Sequence, residues 1–324
     1  MKISRRHILA TGAASLAGLV PQLAQAQPYP ERAVRVIVPF ATGGPNDLAA
    51  RIVSLALTER LGKQFFVENL PGAGGNVGTG QAAKARADGY TILFVAPSYA
   101  ANPTLFESVP YDPRSSFDAV TLAATAPTVL TVNPAVAAGS VNELIAAIRT
   151  NPGKYSYASP GSGTPPHLLG ELFRITHRLD LAHVPFASGG QAMLATVGGH
   201  TPISFGAVPP AVGFVKDGRL KALAVTSRHR SIALPGVPTI AEAGYPDLAA
   251  DIWTAVLVPA GTPREITLLL QQEIAALLAR PEVKERMAAS GYVPVGSAPD
   301  ECAAHIAAEI TKWGKVIREA GLKA

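Results

Sequence analysis

Histidine and cysteine are the side chains that most often ligate metals or act as bases and nucleophiles, and neither is arranged for such chemistry here. No histidine pair has the H-x-x-x-H or H-E-x-x-H spacing that would place two ring nitrogens on one helix face. The single cysteine, Cys302, excludes an intramolecular disulfide and a cysteine-based zinc cluster. Its apolar neighbours indicate an ordinary helix position. We therefore expect neither a metal nor another cofactor.

Nucleophile and phosphate-binding motifs are equally absent from the sequence. The run Pro160-Gly161-Ser162-Gly163 lacks the leading glycine of a G-x-S-x-G elbow, and no lysine follows a glycine loop as in a P-loop. The run from Gly78 to Ala83 imitates a dinucleotide fingerprint, but it follows a proline-glycine loop and not a strand. We predict a protein that is not an enzyme. The alternative of an exported α/β hydrolase, with a triad assembled only in space, stays open.

A small, neutral loop rich in glycine and hydroxyl groups recurs between a predicted strand and a predicted helix. A helix N-terminus offers unpaired N–H groups and a partial positive charge, and glycine lets a ligand approach the backbone. Such loops lie at the carboxyl ends of strands, where open α/β sheets bind ligands. Each could instead be an ordinary turn with an N-cap residue, and Asp47 could simply complement its helix dipole. The loops are 41–47, 158–164 and 186–190.

Three further features have two interpretations each. The glycine loop Pro71–Asn76 could face the same cleft or only make a tight turn. Tyr99 and Trp253 could stack on a ligand or pack in the core. The residue types alone leave these alternatives open.

Apolar periodicity predicts alternating strands and helices around these loops. The first series predicts a parallel sheet covered on both faces. Its elements are strands 34–38, 65–67 and 90–95 with helices 46–61 and 76–87. A second series follows, and one last strand then precedes three helices that return to the first lobe. These later elements are strands 128–132, 155–158, 181–184, 203–205, 220–225 and 253–258, and helices 141–149, 166–176, 191–197, 209–216, 264–278, 281–289 and 299–320.

This order predicts two α/β lobes joined by two crossovers, near residues 125–130 and 246–252. We expect residues 27–127 and 250–324 to form lobe 1, residues 128–249 to form lobe 2, and the ligand cleft to lie between them.

The first residues have the three parts of an export signal. Lys2, Arg5 and Arg6 precede a short apolar stretch and the small-residue site Ala24-Gln25-Ala26. The apolar stretch is shorter than the roughly 20 residues that span a bilayer. We expect cleavage after Ala26, a periplasmic location, and either twin-arginine or general secretory export. Removing three basic residues lowers Lys+Arg from 28 to 25 against 23 acids, so the basic pI does not indicate nucleic-acid binding.

An ordered set of short segments resembles the Bug/TctC family, the periplasmic substrate-binding components of tripartite tricarboxylate transporters. The resemblance covers essentially the whole mature chain. The segments include Pro39–Gly44, Val67–Asn69, Pro71–Asn76, Asp88–Thr91, Tyr157–Ser159, His183–Pro185, Leu234–Thr239, Pro259–Pro263 and Lys312–Gly314.

The resemblance implies a type II-like Venus-flytrap fold that closes on a small carboxylate, held by main-chain and hydroxyl groups from both lobes. The partners it implies are transporter permease subunits or a sensor kinase, and we expect a monomer. The predicted ligand residues are Phe40, Ala41, Thr42, Gly43, Gly44, Asn46, Ser98, Tyr99, Ser159, Gly161, Ser162, Gly163, Thr164, His167, Ser188, Gly189 and Gly206.

The chain departs from the family pattern at the far end of the expected pocket. Val184–Ser188 stands where the family commonly has V-P-Y-K-G, and Pro202 and Gly206 stand where it often has aspartates. The candidate loops contain no Lys or Arg, and Asp47 is their only acid. A buried ammonium group would lack a partner. We therefore expect an acid without an ammonium group: a dicarboxylate, or an aromatic or hydroxylated monocarboxylate.

Overall fold

The computed structural model describes residues 29–42, 45–186, 188–289 and 291–323 as an α/β protein built on one continuous mixed sheet. The predicted signal segment, Gly43, Gly44 and Ala187 lie outside the described residues. The strands are β1 Val34–Val38, β2 Phe65–Asn69, β3 Thr91–Val95, β4 Phe117–Val132, β5 Ser156–Ser159, β6 Ala182–Pro185, β7 Ile203–Ala207, β8 Lys221–Val225, β9 Asp251–Pro259 and β10 Val293–Pro294. The helices are α1 Pro45–Leu61, α2 Asn76–Ala83, α3 Ser98–Leu105, α4 Val141–Thr150, α5 Pro165–His177, α6 Gly189–Val197, α7 Val208–Lys216, α8 Arg264–Leu278, α9 Pro281–Ala289 and α10 Pro299–Ala320.

Strand pairing divides the sheet into two halves, each the centre of one lobe. In the first half, β1 lies between β2 and β3 and pairs with both in parallel, and β9 then pairs antiparallel with β3 and with the first part of β4. In the second half, β5 pairs in parallel with β6 and β7, while β7 and β8 pair antiparallel with the end of β4. The two-lobed α/β class is therefore confirmed.

Helices cover both faces of each half-sheet, because the strands carry nearly continuous apolar runs. In the first lobe, α1 and α8 bury Val53 and Ile274 on one face, while α3 and α10 bury Leu105 and Trp313 on the other. The second lobe has its own cores beneath α4 and α5 and beneath α6 and α7. Leu168 of α5 nevertheless packs in the core of the first lobe, so α5 bridges the two lobes.

Two chain segments connect the lobes. The first is β4 itself, which pairs with β9 up to Pro127 and with β7 from Thr128 onward. The second is the segment before β9, whose Ala250 exchanges hydrogen bonds with Thr226 of the second lobe. Lys312 of α10 donates to the Ala249 carbonyl in the same segment. The predicted residue ranges of the lobes stay a prediction, although both connections lie near the predicted crossovers.

Several sequence predictions needed correction. The parallel sheet predicted for the first series is confirmed, because β1 pairs in parallel with β2 and β3, and β9 and β4 then extend this sheet antiparallel. The strand predicted at 128–132 begins at Phe117, and helix α3 and strand β10 were not predicted at all. Helix α2 ends at Ala83, four residues earlier than predicted. The remaining helices and strands lie within about two residues of their predicted bounds, the usual uncertainty at helix ends.

Candidate functional site

The two lobes contact each other beside the loop that follows β5 and beside the residue that precedes β10. A Cβ built on Gly163, after β5, would lie 2.6 Å from Cδ2 of Leu105 in the first lobe. A Cβ built on Gly291, before β10, would lie 1.7 Å from Cγ of Pro209 in the second lobe. Both glycines have positive φ, 75° and 76°. Close contacts between the lobes therefore occur through glycine, where any side chain would clash.

The loop after β1 is braced by Asn69 at the end of β2. The Asn69 amide donates to the Phe40 carbonyl at 3.0 Å and to Asp47 at 2.9 Å, and its Oδ1 accepts from the Thr42 hydroxyl at 3.1 Å. Ala41 and Thr42 are exposed. Arg51 forms an ion pair with the buried Asp47 carboxylate at 2.9 Å. Asp47 is thus neutralised within the first lobe and serves the helix start.

Asn46, the next predicted ligand residue, lies buried in the first turn of α1 with 6% of its surface exposed. Its Oδ1 accepts from the Thr254 hydroxyl at 3.4 Å. Its Nδ2 has no hydrogen-bond partner among the described residues. This amide therefore retains donor capacity at the start of α1.

Phe40, Ser98 and Tyr99 line a narrow recess at the ends of β1 and β3 that has no room for a water molecule. Gly74 and Gly75 line it too, so the glycine loop before α2 faces this recess. Tyr99 stacks on Tyr111 at 5.2 Å between centroids, and its hydroxyl donates to the Pro113 carbonyl at 3.0 Å. Tyr99 is therefore a buried residue that lines the recess, and its hydroxyl is already hydrogen-bonded within the protein.

In the second lobe, the loop between β5 and α5 is held by hydrogen bonds of its own. Ser159 Oγ lies 2.7 Å from His183 Nε2 and accepts from the Gly161 amide at 3.2 Å. The Thr164 hydroxyl donates to the Gly161 carbonyl at 2.7 Å, and the Gly163 amide donates to His167 Nδ1 at 2.9 Å. Two amides expected to face a carboxylate are therefore bonded to side chains instead.

Helix α5 also begins with Pro165 and Pro166, which have no N–H to offer. The amide of Leu168 is bonded to the Thr164 carbonyl. The exposed Ser162 stands at the tip of the loop. The start of α5 is thus a much poorer anion site than the loop pattern predicted.

His167 and His183 stack at 4.0 Å between ring centroids, beneath this loop. Burial, reinforced by the neighbouring His183, lowers the pKa of His167 from 6.5 to about 4. His167 is therefore neutral at pH 7, as it must be for Nδ1 to accept from Gly163. His183 was not among the predicted ligand residues. The position of His183 near this loop follows only from the pairing of β6 with β5, which sets His183 beside Tyr157.

The Ser159–His183 pair bears on the hydrolase alternative. Ser159 is fully buried, at 0% exposure. Within the described part of the chain, no carboxylate is hydrogen-bonded to His183, and Glu171 is engaged by Tyr157 and Arg174. A buried hydroxyl without a third group to orient its base does not match the geometry of a nucleophile.

The remaining predicted residues have structural partners. Ser188 caps α6, accepting from the Gln191 amide at 3.3 Å, and a Cβ on Gly189 would lie 3.6 Å from Pro160. A Cβ on Gly206 would lie 2.9 Å from the terminal methyl of Met193. Trp253 is a core residue whose Nε1 donates to Glu309 at 2.8 Å.

Two α/β lobes joined by two chain segments are typical of a periplasmic solute-binding protein. The chain belongs to the TctC family, described as the tripartite tricarboxylate transporter family receptor. The model of this family matches residues 49–322. This family consists of periplasmic solute receptors, which are not enzymes. Among the described residues no helix is long and apolar enough to cross a membrane.

Relatives and solved structures agree with this assignment. Protein BugT of Bordetella pertussis is 37% identical over 300 residues, which cover 92% of each protein. Rpa4515 of R. palustris, solved with adipate, is 32% identical with a TM-score of 0.77 and covers 91% of this chain and 99% of its own. MatC from Rhodopseudomonas palustris, solved with bound malate, is 29% identical with a TM-score of 0.74, covering 89% and 100%.

Proposed function

We propose that this protein captures a small organic acid without an ammonium group in the periplasm and delivers it to the permease of a tripartite tricarboxylate transporter. Family membership carries the proposal, and relatives solved with adipate and malate support a carboxylate as the ligand. Binding would stabilise the closed arrangement of the lobes, and the permease would recognise that arrangement. The proposed site lies among the predicted ligand residues of both lobes, without Ser188, whose side chain caps α6.

The neutrality of the site supports the choice of ligand. The Asn46 amide and the exposed Ser162 hydroxyl are uncharged donors, and the Asp47 carboxylate is already paired with Arg51. Because no arginine clamp is present in the candidate loops, we expect affinity to fall only mildly as salt increases. An ammonium group would find no free carboxylate in these loops.

Calorimetry on the signal-free protein tests this proposal. The panel is malate, adipate, benzoate, several amino acids and a polyamine, each at low and high salt. We expect an acid without an ammonium group to bind tightest. Tightest binding of an amino acid or polyamine would contradict the proposed ligand class.

Two rival functions have their own tests. Turnover of simple esters that is lost in Ser159→Ala would favour the hydrolase alternative. Reconstitution with permease subunits in vesicles should give acid uptake that depends on this protein, whereas capture of a sensor kinase without uptake would favour a signalling role.

Intact-mass measurement of periplasmic material should show a chain that begins at Gln27, and retention of residues 1–26 would contradict the proposed cleavage.

A further inference from the structure

We propose that Asn46, Thr254 and Tyr292 form a buried polar subsite in the first lobe that takes a carboxylate or hydroxyl oxygen of the bound acid. The proposal rests on the proposed function and adds a residue, Tyr292, that the loop patterns did not indicate. Tyr292 directly follows Gly291, which lies against Pro209 of the other lobe. The subsite therefore lies between the start of α1 and a point where the lobes touch.

Two polar atoms in this region are buried without partners. Asn46 and Tyr292 are 6% and 4% exposed. The Asn46 Nδ2 and the Tyr292 hydroxyl each lack a hydrogen-bond partner among the described residues. A buried polar group without a partner costs about 1–3 kcal/mol, so two in one place indicate an occupant that supplies the missing bonds.

Thr254 of β9 connects these two groups. Its side chain is fully buried and its hydroxyl donates to Asn46 Oδ1 at 3.4 Å. Burial raises the pKa of Tyr292 to about 12. The adjacent Thr254 hydroxyl lowers that pKa as a hydrogen-bonding neighbour, although the two groups lie outside hydrogen-bond geometry. The Asn46 amide and the Tyr292 hydroxyl thus both lie next to the Thr254 side chain.

The free groups are donors, which decides the chemistry of the occupant. Asn46 Nδ2 carries two N–H groups and can only donate, the Tyr292 hydroxyl can donate one bond as well as accept, and Asn46 Oδ1 already accepts a bond. The nearby Asp47 carboxylate is held by Arg51 and Asn69. The start of α1 adds a partial positive charge. These features suit an oxygen acceptor and disfavour an ammonium group.

The experiment compares Tyr292→Phe with wild type in calorimetry against malate and adipate, and in thermal unfolding without ligand. Removing an unpaired buried hydroxyl should leave the unliganded protein equally or more stable. Removing a bond to the ligand should weaken acid binding about tenfold. Tyr111→Phe is the matched stability control, because the Tyr111 hydroxyl bonds to Asn76 and to the Tyr99 carbonyl at 3.3 Å each. It should lower the melting temperature.

The outcomes separate the subsite from the proposed function. Unchanged acid affinity in Tyr292→Phe would show that the groups hold only a water molecule, and would overturn the subsite alone. A clear loss of stability in the unliganded variant would also overturn it, since the hydroxyl would then have a protein partner. If the wild-type protein binds no acid of the panel, the proposed function fails and the subsite fails with it.

Discussion

The loop after β1 and the loop after β5 occupy equivalent places in the two lobes, yet they use their polar groups differently. In the second lobe, Gly161 and Gly163 give their amides to Ser159 and His167 of the same loop region. In the first lobe, Asn69 braces the loop from outside, and the Asn46 amide has no partner in the part of the chain that the structure describes.

Loops with a similar sequence pattern can therefore differ in whether their N–H groups are bonded within the protein or remain available to a ligand. Two prolines remove the first N–H groups of α5, and the buried His167 ring accepts one of the remaining amides. Among the described residues of these loops, the first lobe thus keeps a buried amide without a partner, whereas two amides of the second lobe are bonded. We expect hydrogen bonds from the first lobe to supply most of the binding free energy, and the second lobe to contribute mainly steric fit to the ligand.

The largest effect should come from Gly163→Ala. Its φ of 75° strains any other residue by about 1–2 kcal/mol, and the new Cβ would also push against Leu105 across the cleft. We expect a lower melting temperature and at least a tenfold loss of acid affinity. Gly218→Ala is the matched control, because Gly218 has a φ of 70° and no atom near its Cβ position. Equal losses in both variants would mean that the contact with Leu105 has no role.

Asn69→Ala should have the next largest effect. It removes donors from Phe40 and Asp47 together, and so leaves a buried carboxylate with one partner fewer. We expect about 1–3 kcal/mol of lost stability and weaker acid binding, measured by denaturant unfolding and calorimetry. A destabilised variant with unchanged affinity would show that the brace supports the fold but not the site.

His167 should make stability depend on acid pH. The pKa of His167 in the folded protein, about 4, lies below the ordinary value of 6.5. Between these two pH values the unfolded chain therefore binds a proton at His167 that the folded protein does not bind. Stability should therefore fall as the pH drops from 6.5 to 4. Asp251, whose pKa burial raises to about 6, acts with the opposite sign in this window.

His167→Gln isolates the histidine contribution, because glutamine does not titrate. The variant should be less stable than wild type at pH 7 by about 1–2 kcal/mol. That gap should narrow as the pH approaches 4 in unfolding experiments. A gap that stays constant across the window would contradict the assigned protonation state.

The smallest effect should come from Ser188→Ala. Ser188 is exposed and caps α6, so its loss should cost about 1 kcal/mol of stability and leave acid affinity unchanged. Ser140→Ala removes the same type of cap from α4. Weaker acid binding in Ser188→Ala but not in Ser140→Ala would place the Ser188 side chain in the site.

Most helices and strands could be predicted from the sequence because their apolar residues repeat at a regular spacing. Helices α8 and α10 follow the helical repeat, and β1 and β3 are continuous apolar runs bounded by turn residues. Helix α3 was missed because Pro103 lies within its eight residues. The first part of β4 was missed because it is alanine-rich and its register shifts twice against β9.

The sequence by itself determined the two α/β series, the loops at their strand ends and the neutral character of the candidate site, since all of these are local properties of residue type and spacing. Only the tertiary structure decided which polar groups remain unbonded. His167 reaches Gly163 within one turn, but the partners of Asn46 and Ser159 come from β9 and β6, distant in the chain. Hydrogen-bond satisfaction depends on such pairings, so no local pattern could show that the loop after β5 is largely satisfied while Asn46 and Tyr292 are not.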